Sequence, residues 1–507
     1  MIVLCLGVYI PPGISGNVHR QLTVSEDHPQ VLGGNPPKEE WNRTFGAPHL
    51  DDAAYDLQQT KDGGYIIAGY ARSYGIAFIN PWLIKLDSTG TMEWNRTYDY
   101  YSLPSHAGRI WSVQQTTDDG FILGCTFVNM TPSNALEGRP MHRTLGGFIS
   151  QMVLIKTDSQ GHEEWNRTYD GLDYSWCFGV RQTSDGGYIA TGGGNASTDG
   201  SPDLFLLKTL SDGSPQWLRM YGASDSDEEG HMVQATSDGG YIITGMSDLN
   251  YDTEWGKVWL IKTDGSGAVV WDKKFEGTGS QSGIGLKTYG NSVQQTSDSG
   301  FIIAGVMNYQ GCLLKTDANG NETWRKTPFL NDISFFCNSA RQTTDGGYIT
   351  TGNGLIKTDS SGNEQWNITI PTPFTAGQQT KDGGFIIAGS NNGYYNGDVW
   401  IIKFAKESVA PILSFTLKGG IGIQMKITND GTVDATSIPW QIHVEGGLLH
   451  RINQTVQGTV DVAIGASKTV GTETIVGIGG IQVTATLGDD TTTVAGIQLL
   501  ILSLLKQ

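Results

Sequence analysis

Positive charge is scarce in this sequence. Lys and Arg number 33 against 51 Asp and Glu, which leaves a formal net charge of −18. A surface of that sign repels phosphate backbones, so nucleic acid is excluded as a partner class. It also excludes a polybasic membrane-surface role. Cysteine is scarcer still, at five in 507 residues. No CxxC occurs, which argues against zinc and dithiol motifs. Long apolar runs are missing. MIVLCLGVYI (1–10) and the tail TTTVAGIQLLILSLLKQ (491–507) are short for a bilayer span, so an integral membrane protein is not expected. HxxxH, GxSxG and Ser/His/Asp patterns do not emerge, and His106, His142 and His231 stand singly. No catalytic residue, no cofactor and no enzymatic activity are therefore expected.

Glycine and aromatics are abundant, with Gly 69 and Trp 14. One unit recurs: QQTKDGGYIIAG (58–69), VQQTTDDGFILG (113–124), VRQTSDGGYIATG (180–192), VQATSDGGYIITG (233–245), VQQTSDSGFIIAG (293–305), ARQTTDGGYITTG (340–352) and GQQTKDGGFIIAG (377–389). It reads strand, tight Asp/Gly turn, strand. After each of the first six copies comes a second pattern, such as LIKLDSTGTMEWNRTY (83–98), with a Trp in its last strand. One full unit is four antiparallel strands, the signature of a propeller blade.

The seventh unit has no Trp strand after it. That strand stands at the other end of the chain, as KEEWNRTFG (38–46). A ring closed by its N-terminal strand explains the split, because closure removes an open edge. The expected fold is all-β: a seven-bladed propeller over 38–406, then a small Ig-like β-sandwich over 407–507, built from runs such as IGIQMKITN (421–429) and IPWQIHVEG (438–446). Residues 1–37 form an apolar segment and linker. Their apolar start is similar to a secretory h-region, or serves as a strand donated to a neighbouring copy.

The QTSDGGYIIAG and WLIKTDSxGxxxW alternation resembles a family of prokaryotic, often archaeal, extracellular β-propeller repeat proteins. KGGIGIQMKITNDGTVDATSIPWQIHVEGGLL (418–449) resembles a β-sandwich module near the C-termini of archaeal surface proteins. Together the resemblances imply a cell-surface or secreted protein and no particular reaction. DSTGTMEW (87–94) is similar to the Asp-box and tryptophan-docking motifs of other propellers, which implies an Asp that caps a turn and a Trp that packs between blades.

The DGG turns are uniform, so any ligand face is expected opposite them, where the loops vary. Those loops carry Tyr, Trp, Asp and Asn, the residue types that bind sugars. Asp225, Asp227 and Glu229 in ASDSDEEGH (223–231) are the candidate Ca²⁺ ligands, since carboxylates suit that hard ion. Sequons begin at Asn42, Asn95, Asn129, Asn166, Asn195, Asn321, Asn367 and Asn453, and are read as glycosylation sites on an extracellular rim. Cys125, Cys177, Cys312 and Cys337 are either buried thiols or disulfides. If bridged, neighbouring blades favour Cys125–Cys177 and Cys312–Cys337. The expected function is a structural subunit of a filament, sheath or surface layer. It would polymerise through its N-terminal strand and C-terminal sandwich, with glycans as further partners. An adhesin using the variable-loop face is the alternative.

Overall fold

The computed structural model describes residues 36–505 apart from segments 47–50, 73–78, 99–105, 130–149, 170–171, 173, 195–201, 223–225, 251–254, 278–287, 309, 328–336, 371, 393–396, 408–412, 421, 430–433, 489 and 501. The chain divides into two compact units, one over Pro36–Glu407 and one that includes Ser408–Gln507. Both are built from strands, and the described residues contain no α-helix. The donor segment of the expectations, residues 1–35, lies outside the described residues.

The first unit consists of four-stranded antiparallel meanders of propeller type. The first meander runs Ala53–Gln59, Tyr65–Arg72, Ile79–Leu86 and Met92–Thr97. Five others form four-stranded sheets of their own, while the first two are bridged by a single parallel pair, Ile79 with Ala107. One motif copy lies in each meander, across its first two strands. In the last meander, Phe374–Gln379, Phe385–Ser390 and Val399–Phe404 are completed by Glu39–Phe45. The expected completion by the N-terminal strand is thus present in the register, with Asn42 opposite Ile402.

Second and third strands are buried along their length, as in Tyr65–Arg72 and Ile79–Leu86. Fourth strands are largely exposed, as in Met92–Thr97. The apolar runs YIIAG and LIK therefore sit between meanders, and the alternating EWNRT strands face solvent on one side.

Six of the seven first strands carry a bulge at the same place. The ladder skips Tyr55, Trp111, Phe178, His231, Asn291 and Thr375 in these six meanders, and Glu228 as well in the fourth. A bulge bends its strand and re-aims the extra side chain. It also explains the Gly that ends the motif: a Cβ on Gly245 would lie 1.8 Å from the Glu229 carbonyl oxygen.

The second unit is two sheets packed face to face. Leu413–Gly420, Gly422–Asn429 and Ser467–Gly471 form one. Ile452–Val462, Ala435–Gly446, Gly477–Leu487, Asp490–Leu500 and Leu502–Leu505 form the other. Phe415, Met425 and Ile427 of the first meet Ile442, Val444 and Val483 of the second in one core.

Candidate functional site

The repeated polar residues are consumed by the scaffold. In the first DGG turn, Asp62 Oδ1 accepts from Thr60 Oγ1 at 2.5 Å and Gly64 N at 2.9 Å. Its Oδ2 lies 2.9 Å from Lys85 Nζ. Lys85 is the Lys of LIK, and its side chain is only 5% exposed. It also donates to Leu86 O at 3.0 Å and to Glu93 Oε2 at 2.9 Å. Lys156, Lys208, Lys262, Lys315, Lys357 and Lys403 repeat the arrangement with Asp118, Asp185, Asp238, Asp298, Asp345 and Asp382. A buried ammonium must be paired and hydrogen-bonded, and each of these is. Partial burial acts to raise the Asp62 carboxyl. The Thr60 hydroxyl, the Lys85 ammonium and the Gly64 N–H outweigh it and bring the group down to about 2.

The outer turns behave as the resemblance implied. Asp87 Oδ1 accepts from Thr89 N at 2.8 Å and Thr91 N at 2.9 Å. Trp94 of the first meander packs edge-on to Phe121 of the second, with ring centroids 5.9 Å apart. Trp41, Trp165, Trp217, Trp271, Trp324 and Trp366 repeat this against the next meander.

Glutamines stitch the first strands together. The second Gln of one motif accepts the turn N–H of the preceding meander: Gln115 from Lys61, Gln182 from Thr117, Gln295 from Ser237, Gln342 from Ser297, Gln379 from Thr344. Gln59 accepts from Lys381, which joins the last meander to the first. The remaining seam, between the third and fourth meanders, has Ala235 in that place. The first Gln position also varies. It holds Gln58, Gln114, Gln234, Gln294 and Gln378, but Arg181 and Arg341 in the third and sixth meanders.

These positions meet at a cavity of about 310 Å³, to which all seven first strands contribute. Its charged lining residues are Asp56, Arg181 and Arg341. Asp56 accepts from Leu57 N at 2.9 Å, Val113 N at 2.9 Å and Ser112 Oγ at 3.3 Å. Arg181 Nη1 lies 3.9 Å from Asp56 Oδ2, and donates to Ser112 Oγ at 2.8 Å and Val180 O at 2.7 Å. Arg341 donates to its neighbour's carbonyl, Ala340 O, at 3.0 Å. Burial and the nearby charge of Arg181 lower the Arg341 guanidinium to about 10, against the opposing pull of Asp56. It remains a cation at neutral pH.

Away from the arginines the bulged residues form an arc. Tyr55 and Trp111 stack with centroids 4.2 Å apart, Phe178 follows at 5.2 Å, and His231 at 5.3 Å from Phe178. On the far arc the same position is polar: Asn291 Nδ2 donates to Cys337 O and Asn338 Nδ2 to Phe374 O, both at 2.9 Å.

Of the three expected metal ligands the structure places two. Asp225 lies outside the described residues. Asp227 and Glu229 belong to the first strand of the fourth meander, not to a loop, and are 3% and 1% exposed. Glu229 Oε2 sits 3.2 Å from His231 Nε2, and the intervening Glu228 accepts from Ser226 Oγ at 2.5 Å. Among the described residues no group of three His, Cys, Asp or Glu side chains is arranged to hold a metal.

The four central cysteines are buried free thiols, so neither Cys125–Cys177 nor Cys312–Cys337 is bridged. Cys125 packs with Ile110 and Val153, whereas Cys177 belongs to the next core with Met152 and Tyr188 and points at Gly179 O at 3.7 Å. Burial pushes the Cys177 and Cys312 thiols up to about 12. Asn42, Asn95 and Asn166 lie exposed on fourth strands, with Asn367 half-buried at the same place. Asn321 is exposed in an outer turn and Asn453 on the second unit. Asn195 lies outside the described residues, and so does the side chain of Asn129. Most of the variable loops, including 99–105, 130–149 and 251–254, are outside them too.

No protein-family model and no curated protein matches this sequence. Among solved structures the chain is similar to the WD40 domain of Pan2 from Neurospora crassa, at 8% identity, 75% of this chain, 100% of that one and a TM-score of 0.44. It is similar to YCF48 from Cyanidioschyzon merolae at 10% identity, 72% and 98% coverage and a TM-score of 0.40. For BamB from Moraxella catarrhalis the values are 13%, 74%, 100% and 0.35.

Proposed function

We propose that this chain is a non-enzymatic, glycosylated extracellular scaffold of an archaeal type of cell surface. Its first unit is a seven-bladed propeller closed by the Glu39–Phe45 strand, and its second an Ig-like sandwich. The observation that carries this reading is the siting of Asn42, Asn95 and Asn166 on solvent-facing fourth strands, where a glycan projects without disturbing the packed strands. The consumption of the repeated Asp, Lys and Gln residues by internal bonds supports a structural role.

Self-assembly is favoured by the second unit. Leu448, Leu449, Val476 and Ile478 expose 70%, 76%, 69% and 52% of their surface near the Gly447 N–H to Gly480 carbonyl bond. Exposed apolar clusters of this kind mark contact surfaces. Glycopeptide mass spectrometry on natively produced protein tests the extracellular reading. Glycans are expected at the outer-strand sequons, and unmodified asparagine at all eight would refute it. Electron microscopy of the same sample tests assembly: polymers are expected, and they should disperse in the Leu448→Lys, Leu449→Lys double variant. Wild-type monomers at every concentration would sink the assembly claim.

A further inference from the structure

The cavity shared by the seven first strands holds two guanidinium groups and one carboxylate, so one positive charge lacks a counter-charge in its lining. Asp56 does not supply it. Its oxygens already accept two backbone N–H groups and the Ser112 hydroxyl, and its ion-pair partner is Arg181, so it acts on Arg341 only through a longer-range charge. Arg341 forms no ion pair among the described residues, and its one side-chain hydrogen bond there runs to Ala340 O. Placing a second cation close to the first is unfavourable unless something answers both. The surroundings sharpen the contrast, because the protein as a whole carries −18.

The two arginines also depart from the repeat. The other five meanders place glutamine there, and Gln58, Gln114, Gln234 and Gln294 each hold the next strand by accepting a backbone N–H. An arginine has no acceptor and cannot make that bond. The third and sixth meanders have each exchanged a seam bond for a cation directed at the cavity. Arg181 still ties neighbouring meanders, through Ser112 Oγ at 2.8 Å and Met232 Sδ at 3.4 Å, whereas Arg341 bonds only within its own strand.

We propose that the central cavity binds a small organic monocarboxylate held between Arg181 and Arg341. A guanidinium presents a planar fork that matches a carboxylate through two parallel N–H···O bonds. One negative charge balances the lining. The volume of about 310 Å³ stands at the lower end of the range for small-molecule sites and admits a body larger than acetate. Gln58, Gln114, Gln234 and Gln378 in the lining offer side-chain amides to the polar groups of such a body. The reading is independent of glycosylation and assembly, which use other surfaces.

The test is calorimetric titration of the full chain at low chloride with sodium glucuronate, sodium acetate and sodium phosphate, and with glucose as the neutral control. One saturable site per chain is expected for the carboxylates and none for glucose. Arg341→Gln and Arg181→Gln restore the residue that the repeat carries elsewhere, so both variants should fold, which circular dichroism verifies. Each is expected to weaken carboxylate binding by about tenfold or more. Three results overturn the proposal: no saturable carboxylate binding by the wild type, equal binding by folded Arg341→Gln, or saturable binding of phosphate alone.

Discussion

Lys403 Nζ lies 3.0 Å from Glu40 Oε2, across 363 residues of sequence. The same ammonium lies 3.0 Å from Asp382 Oδ2, so one buried cation ties the N-terminal strand to the last DGG turn. In the other meanders the equivalent Lys joins strands that follow one another in the chain. Here it locks the closure, and the strand that would otherwise present an open edge is paired.

The buried lysines are expected to matter more than their exposed partners. Lys357 is 1% exposed and donates to Asp345 Oδ2 at 2.7 Å, Gln365 Oε1 at 2.8 Å and Thr358 O at 3.1 Å. Lys357→Met keeps the volume but strands three acceptors, and should cost about 2–4 kcal/mol. Glu40→Ala removes a carboxylate that is 43% exposed and should cost under about 1 kcal/mol. Urea unfolding of the two variants beside wild type measures both, and equal losses would contradict the argument.

Acid should unfold the first unit through the DGG aspartates. In the folded chain Asp62, Asp185 and Asp238 are brought down to about 2, below the ordinary aspartate value of 3.8. Asp118, Asp298, Asp345 and Asp382 are lowered as well. A depressed folded value means that the unfolded chain binds protons first. The stabilisation is therefore complete above about pH 4 and is lost as pH falls from there towards 2. Circular dichroism against pH should be flat from 7 to about 4.5 and then fall cooperatively. Asp62→Asn should flatten that fall, because one titrating group is removed.

The closure and the four-strand units were legible because the sequence repeats. EEWNRTF matches the Trp strands and is missing from the seventh unit, which leaves one place for it. The buried lysines were hidden by their own chemistry: a Lys at the end of an apolar strand reads as a solvent-facing terminus until its partners are seen. Arg181 and Arg341 could have been found by comparing the copies, since VRQT and ARQT both place Arg where VQQT has its first Gln. The bulges left no such trace, because register is set by backbone pairing. That loss misplaced Asp227 and Glu229, whose charges suggested a loop although they are buried on a strand.

The third and fourth meanders share the weakest of the Gln seams. Ala235 is exposed where the other seams have a Gln that accepts a turn N–H. Ala235→Gln should restore that bond to Ser184 N and stabilise the chain by about 1 kcal/mol. Hydrogen exchange provides the local readout, with slower exchange expected at the Ser184 amide. Faster exchange there, or a lower unfolding midpoint, would show that this seam is strained in another way.

An outer turn and a DGG turn allow backbone and packing costs to be separated. Gly161 has φ +75°, and a Cβ there would lie 2.6 Å from Cζ3 of Trp94. Gly186 has φ +82° but nothing within 4 Å of the same added atom. An alanine in the left-handed region costs about 1–2 kcal/mol at either position. At Gly161 the ring must also move, and Trp94 is already held edge-on to Phe121, so the total should reach about 2–4 kcal/mol. Gly161→Ala should in addition shift the tryptophan emission of the folded protein, whereas Gly186→Ala should not. Equal destabilisation with unchanged emission would mean that Trp94 yields without cost. The glycine of the DSxG turn would then be explained by backbone conformation alone.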